Sequence, residues 1–245
     1  MRTIEILTNT ECKRGCPQCN QIAWRLVENG YKYTPENAEN LVTVLKKYNK
    51  KYDVVMSGGE PTLNKDLPQI CKILKNSGVI QTISITSSSL SPMFKKLWAY
   101  IDNLYFSWRN DRNPDDCLPY TFREHRDKIH FWNSKYHVLF PKEPYTGSGY
   151  CCCTHVGVFC AIRGDEVFPC TLALNHSYTL AWTGLEPYTL EEYFSGIKKY
   201  PPIGTYDACK WCVNNQGYRD WAMKNGEYTS TTKSIQQYII NEDDE

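Results

Sequence analysis

Apolar residues recur with two different periods along the first hundred residues, and the alternation of the two predicts a strand–helix repeat. Ile4 to Leu7 alternates with polar neighbours and predicts a first strand. Tyr52 to Met56, Thr82 to Thr86 and Asn103 to Trp108 predict three more. Between them the spacing turns helical, through Ile22, Leu26 and Val27, then Leu41, Val44 and Leu45, then Leu67, Ile70, Ile73 and Leu74. Thr34-Pro35 reads as an N-cap followed by proline at the first helical position, and Gly78 as a helix stop. Pro92 to Tyr100 predicts a further helix. Strand and helix in this order suit βαβ units and a parallel sheet.

The pattern weakens after Asn110. Asp115 to Asp127 has helical character, and one or two strands fall between Ile129 and Phe140. Pro141 to Tyr150 holds two prolines and two glycines and reads as a boundary. Beyond it, Val156 to Ile162 and Glu166 to Phe168 flank Arg163-Gly164-Asp165, which predicts a hairpin. Leu190 to Tyr200 predicts a helix ended by Pro201-Pro202, and Asn241 to Glu245 an acidic, disordered tail.

Length and charge narrow the class. A chain of 245 residues accommodates one α/β domain with a small appendage, or two small domains. A net charge of +1 supplies no strong field toward nucleic acid or an anionic membrane. No apolar run approaches the roughly 18 residues that span a bilayer. The first residues read as a strand rather than a signal peptide, so the expected location is the cytoplasm. The outlier is cysteine, with 12 residues that mostly fall in tight groups. In a reducing compartment grouped thiols point to metal ligation rather than disulfides.

The first group, Cys12-x-x-x-Cys16-x-x-Cys19, directly follows the first strand. Three thiolates that close can occupy three corners of an iron–sulfur cubane and leave one iron open for a substrate or cofactor. A zinc knuckle or unrelated thiols would show the same spacing. The second strand ends in Ser57-Gly58-Gly59-Glu60-Pro61-Thr62. Two glycines there allow the backbone to approach a ligand closely, and a glutamate accepts a hydrogen bond from an ammonium group. A plain strand-to-helix turn with a surface glutamate is the alternative.

Together the cysteine triad and the Gly58-Gly59-Glu60-Pro61 turn resemble the two signatures of the radical S-adenosylmethionine (SAM) superfamily. The resemblance implies that Cys12, Cys16 and Cys19 bind a [4Fe–4S] cluster. It implies that SAM chelates the open iron, and that Gly58, Gly59, Glu60 and Pro61 contact its aminoacyl group. The position before the third cysteine, usually aromatic and near the adenine in this family, is Gln18 here. Ser87 in Thr86-Ser87-Ser88-Ser89 and Ser107 lie where family members place polar cofactor contacts, and Arg109 and Arg112 are on the same rim. Polar turn residues are the alternative for each.

The second group comprises Cys170 after Glu166-Val167-Phe168-Pro169, Cys209-x-x-Cys212, and one of Cys151, Cys152 and Cys153. Four ligands close a site. The arrangement resembles the auxiliary-cluster extensions called SPASM and Twitch, and alignment on Pro169-Cys170 implies Cys152 as the first ligand. The shorter Twitch type, with a second [4Fe–4S] cluster, fits the cysteines present. A four-cysteine zinc site uses the same ligands, and Cys151 or Cys153 can replace Cys152. Cys71, Cys117 and Cys160 read as small packed residues. The five histidines show no ligand spacing, with His155 the one beside a cysteine run.

The expected fold is α/β, a partial (β/α)6-type TIM barrel with a small C-terminal extension of β-hairpin plus helix that binds a cluster. The expected divisions are residues 1–140 for the barrel, 141–230 for the extension, and 231–245 for a C-terminal helix and acidic tail. The resemblance implies an enzyme that cleaves SAM reductively and abstracts hydrogen from an unactivated carbon of a small polar substrate, in a dehydrogenation, epimerisation or rearrangement. Modification of a peptide or protein side chain is the second expectation, and a non-catalytic zinc or iron–sulfur module the third. The implied partners are the substrate, small molecule or peptide, and a flavodoxin- or ferredoxin-like reductant, without membrane or nucleic acid. No residue is singled out as acting on the substrate.

Overall fold

The strands of the first hundred residues alternate strictly in what they face. The computed structural model describes residues 2–12, 30–108, 113–133, 136–138, 159–168, 186–200, 221–226 and 228–230. Strands β1 (Arg2–Leu7), β2 (Tyr52–Ser57), β3 (Ile80–Ser87), β4 (Asn103–Trp108) and β5 (Ile129–Asn133) pair in parallel, each with the next. One sheet face carries Ile4, Ile6, Val54, Met56, Ile83, Ile85, Leu104 and Phe106, all buried in one apolar cluster. Helices α1 (Pro35–Lys46) and α2 (Leu67–Asn76) close this face with Leu41, Leu45, Ile70 and Leu74. Each such side chain contributes about 1.5–3 kcal/mol by leaving water. The opposite face carries Glu5, Asp53, Ser57, Thr82, Ser84, Asn103, Tyr105 and His130 at the alternate positions.

The helix signals act as expected. Thr34 caps α1, its Oγ1 accepting from the Asn37 N–H at 3.2 Å while the Asn37 side chain accepts from the Thr34 N–H at 3.1 Å. Gly78, past the end of α2, has φ +74°. Three elements come out shorter than the pattern predicts. The helix expected over Pro92 to Tyr100 is α3 (Phe94–Leu97), flanked by turns. The stretch from Asp115 to Asp127 splits into α4 (Pro114–Cys117), α5 (Tyr120–Arg123) and the 3₁₀ turn Arg126–Lys128. Pro119 causes the split, because it disfavours the helical conformation at Leu118, which sits at φ −69°, ψ 129°. The helix expected to reach Tyr200 is α6 (Leu190–Phe194), with Gly196 left-handed just beyond it at φ +80°.

Later strands complete the sheet. β6 (Tyr136–Val138) pairs antiparallel with β10 (Tyr228–Ser230) in a separate ribbon. β7 (Phe159–Arg163) and β8 (Glu166–Phe168) form the expected hairpin about Gly164-Asp165, and β9 (Tyr188–Thr189) pairs with β8. β7 also pairs parallel with β1, Thr3 opposite Phe159 and Ile6 opposite Ile162. Among the described residues the result is an eight-stranded sheet in the order β5-β4-β3-β2-β1-β7-β8-β9, so the hairpin continues the sheet of the N-terminal repeat and β1 is interior. The helical stretch at Ile22 to Val27, the boundary at Pro141 to Tyr150, Pro201-Pro202 and the acidic tail lie outside the described residues. Among the described residues no helix is long and apolar enough to cross a membrane.

Candidate functional site

The chain leaving β1 is held on two sides before it reaches Cys12. Thr8 donates to the Ser57 carbonyl from its N–H at 2.8 Å and from Oγ1 at 2.7 Å. Asn9 bridges antiparallel to Lys32, the Thr10 N–H donates to the Tyr31 carbonyl at 3.1 Å, and the Tyr33 N–H to the Thr8 carbonyl at 2.8 Å. Asn64, fully buried, donates from Nδ2 to the carbonyls of Thr8 at 3.0 Å and Tyr33 at 2.9 Å.

The other side of this loop is the turn after β2. The Gly59 N–H donates to the Asn9 carbonyl at 2.9 Å, the Glu60 N–H to the Glu11 carbonyl at 2.8 Å, and Asn9 Nδ2 back to the Glu60 carbonyl at 2.9 Å. The two glycines make this possible. Gly58 has φ +136°, and a Cβ there would lie 2.6 Å from the Asn9 carbonyl oxygen. A Cβ on Gly59 would lie 2.0 Å from the Glu11 carbonyl oxygen. On this side the close approach is therefore made by the chain's own backbone, the loop that enters Cys12, and not by a ligand. Among the described residues no donor bonds the carbonyl oxygens of Gly58 and Gly59. Asn9 Oδ1 is buried with no hydrogen-bond partner among the described residues.

Glu60 is buried, and its carboxylate turns to its own turn and the end of β3. Oε1 accepts from Ser87 Oγ at 2.7 Å, Thr62 Oγ1 at 2.9 Å and the Thr62 N–H at 3.3 Å. Oε2 accepts from the Ser88 N–H and Ser88 Oγ, each at 3.0 Å. The ammonium contact expected for this side chain is thus matched by five donors of the chain itself. Pro61 opens the buried 3₁₀ turn Pro61–Leu63. Ser107 is half-buried on β4, on the polar sheet face.

That face carries a row of paired polar side chains. Ser57 Oγ donates to Glu5 Oε1 at 2.5 Å, and Thr82 Oγ1 to Asp53. Asn103 Nδ2 donates to Ser84 Oγ at 3.2 Å, while its Oδ1 lies 3.0 Å from His130 Nε2. The Tyr105 ring stacks on His130 with centroids 5.2 Å apart.

The hairpin turn grips the same region from outside. The Gly164 N–H donates to the Tyr31 hydroxyl at 2.5 Å, and the Arg163 guanidinium lies 5.0 Å from the Tyr31 ring centroid. Asp165 accepts from Asn37 Nδ2 at 3.3 Å and Asn40 Nδ2 at 3.2 Å. Burial raises the Tyr31 phenol well above its ordinary value despite the Gly164 N–H and Arg163, and burial raises Tyr33 as well. Both rings are neutral anchors. Lys47 and Tyr48 of the α1 end bind Glu191 of α6.

Of the expected cluster ligands, Cys12 is described and half-buried. Cys16, Cys19, Gln18, Cys152, Cys170, Cys209 and Cys212 lie outside the described residues, as do Arg109 and Arg112. Cys71 and Cys160 are buried packing residues, as expected. Nothing in the sequence singles out Asn9, Tyr31, Tyr33 or Asn64. Each is a polar or aromatic loop residue like many others there, and only its partner far along the chain marks it.

Comparison with known proteins finds sequence likenesses over part of the chain. The Radical SAM superfamily model matches residues 6–108. A glycyl-radical enzyme activating enzyme of Methanocaldococcus jannaschii is 28% identical over 121 residues, 45% of this chain and 47% of that protein. A GTP 3′,8-cyclase of Methanococcus vannielii is 30% identical over 90 residues, 37% of this chain and 29% of that protein. The chain thus spans about half the length of the first relative and under a third of the second. The crystal structure of BtrN in complex with AdoMet and 2-DOIA superposes with a TM-score of 0.56 at 13% identity, covering 97% of each chain. BtrN in an open conformation gives 0.52, covering 98% of this chain and 92% of that one. At this identity the likeness is one of fold.

Proposed function

We propose that the chain is a member of the radical SAM superfamily, a reading that the family match over residues 6–108 supports, and an enzyme that cleaves SAM reductively and abstracts hydrogen from a small polar substrate. The observation that carries this reading is the backbone lock between the turn Gly58 to Glu60 and the loop entering Cys12. It ties the segment that enters Cys12 to the second signature. Cys12, Cys16 and Cys19 are the ligands proposed for a [4Fe–4S] cluster, with Gly58, Gly59 and Pro61 lining the place of the SAM aminoacyl group. The residues fit such a group: the turn presents two carbonyls without a described donor beside Asn9 Oδ1, and the loop locked to it leads into the half-buried Cys12. When bound, the pair supplies one-electron cleavage of the sulfonium and a 5′-deoxyadenosyl radical.

We assign the second cysteine group, Cys152, Cys170, Cys209 and Cys212, to an auxiliary [4Fe–4S] cluster of the Twitch type in residues 141–230. The β7–β8 hairpin lies in sequence between Cys152 and Cys170, as that pattern requires. The parallel order of β1 to β5 supports a partial barrel for residues 1–140, with Ser107 on the rim. The row Glu5, Ser57, Ser84, Asn103, Tyr105 and His130 supports a hydroxyl- or amine-bearing small molecule. Its hydroxyl, amide and carboxylate groups hold such a substrate by hydrogen bonds, and Tyr105 supplies a flat wall. A flavodoxin- or ferredoxin-like protein is the proposed electron source.

Anaerobic reconstitution with iron and sulfide tests the reading. Two clusters give about eight irons per chain, and alanine at Cys12, Cys16 and Cys19 leaves about half. Dithionite with SAM must then yield methionine and 5′-deoxyadenosine from the wild type and none from the triple variant. Zinc in place of iron, or no cleavage, sinks the enzyme in favour of a binding module. Deuterium traced into 5′-deoxyadenosine from candidate small molecules and from peptides separates the two substrate classes.

A further inference from the structure

The carboxylate of Glu60 is filled from within the chain. Two carboxylate oxygens offer about four lone-pair sites, and five donors from Thr62, Ser87 and Ser88 already point at them. Glu60 is 6% exposed and Ser87 2%. The Ser87 proton goes to Glu60 at 2.7 Å rather than to the Ser89 carbonyl at 3.2 Å, and the Ser89 N–H fixes the hydroxyl from behind at 3.0 Å. A buried charge matched this completely has no lone pair left for an incoming ammonium, and pulling it out strands three hydroxyls. On the opposite side the turn is held through its backbone groups, by the Asn9 and Glu11 carbonyls and by Asn9 Nδ2.

We infer that Ser87 and Ser88 are positioning residues for SAM binding. They hold the Glu60 carboxylate, and Glu60 sets the turn whose backbone meets the cofactor, without its side chain touching the ammonium. This rests on the SAM reading above.

Equilibrium dialysis of labelled SAM against the reconstituted protein tests it with E60Q, S87A/S88A and the three combined. E60Q and S87A/S88A are each expected to raise the Kd about tenfold, and the combination to stay near tenfold, because all three changes break one latch. Ser88→Thr keeps the hydroxyl and is expected to bind within about threefold of wild type. The inference is overturned if E60Q weakens SAM while S87A/S88A binds normally, or if the two effects multiply. Melting of the apoprotein gives an independent reading that needs no cluster. Each change should lower it by about 4 °C and the combination by no more than about 5 °C, and additive shifts overturn the latch. A wild type that loads iron yet binds no SAM defeats the functional reading instead, while the apoprotein cycle still decides the latch.

Discussion

Replacing Gly59 by alanine puts a methyl carbon 2.0 Å from the Glu11 carbonyl oxygen, 2.6 Å from its carbonyl carbon and 2.8 Å from Asn9 Oδ1. Ordinary contact begins near 3.4 Å, and the nearest obstacles are backbone atoms that cannot rotate away. The loop entering Cys12 must therefore retreat by more than 1 Å, which breaks the bonds from Gly59 N to the Asn9 carbonyl and from Glu60 N to the Glu11 carbonyl. Two hydrogen bonds at about 1 kcal/mol each and an overpacking cost of about 1–3 kcal/mol sum to about 3–5 kcal/mol. For a chain of this length each kcal/mol moves the melting temperature by about 2–4 °C, so the expected fall is about 10 °C. Gly78→Ala is the control. Its φ is +74° with nothing within 4 Å, so only the backbone term of about 1 kcal/mol applies and the fall is about 3 °C. Melting of both apoproteins followed by circular dichroism decides the matter. Equal shifts in the two variants would refute the claim that the turn is packed against the cysteine loop.

Three further outcomes follow from named contacts. Asn64→Ala removes the donor to the Tyr33 carbonyl and one of those to the Thr8 carbonyl, and should cost about 2–4 kcal/mol in urea unfolding, with a change below 1 kcal/mol counting against the role. Tyr31→Phe removes the acceptor of the Gly164 N–H and should destabilise by about 1 kcal/mol, while Tyr100→Phe serves as the unaffected comparison. Burial pushes the Cys71 thiol up to about 12 from an ordinary 9.0. The unfolded chain releases this proton first, so native stability falls as pH rises between these values, by about 1.4 kcal/mol per pH unit. Cys71→Ala should flatten the stability curve between pH 9 and 10.5 relative to wild type, and parallel curves would show that the thiol is not buried.

The elements of the first hundred residues were legible because local rules govern them. Period-two runs gave β1 to β4, the apolar stripe through Leu67, Ile70 and Leu74 gave α2, and Thr34-Pro35 marked the start of α1. Helix lengths were less legible. Pro119 and Gly196 stop helices within stretches that otherwise look continuous, and those residues are weak signals until their backbone angles are known. At the site, the glycine pair was readable as a close approach, but not what it approaches. A glycine records only that a side chain is forbidden, and the obstacle at Gly59 is Glu11, 48 positions earlier.

By itself, then, the sequence determined the strand–helix order, the apolar sheet face and the two signatures that point to the family. Tertiary structure alone decided that β7 sits beside β1, that Glu60 is spent on Ser87 and Ser88, and that Asn9 and Asn64 knit the cysteine loop to its neighbours. The physical reason is that hydrophobic period is written locally in side chains, whereas the N–H and C=O groups that choose a strand's neighbour are the same at almost every residue. Which of them meet is settled only when distant segments pack.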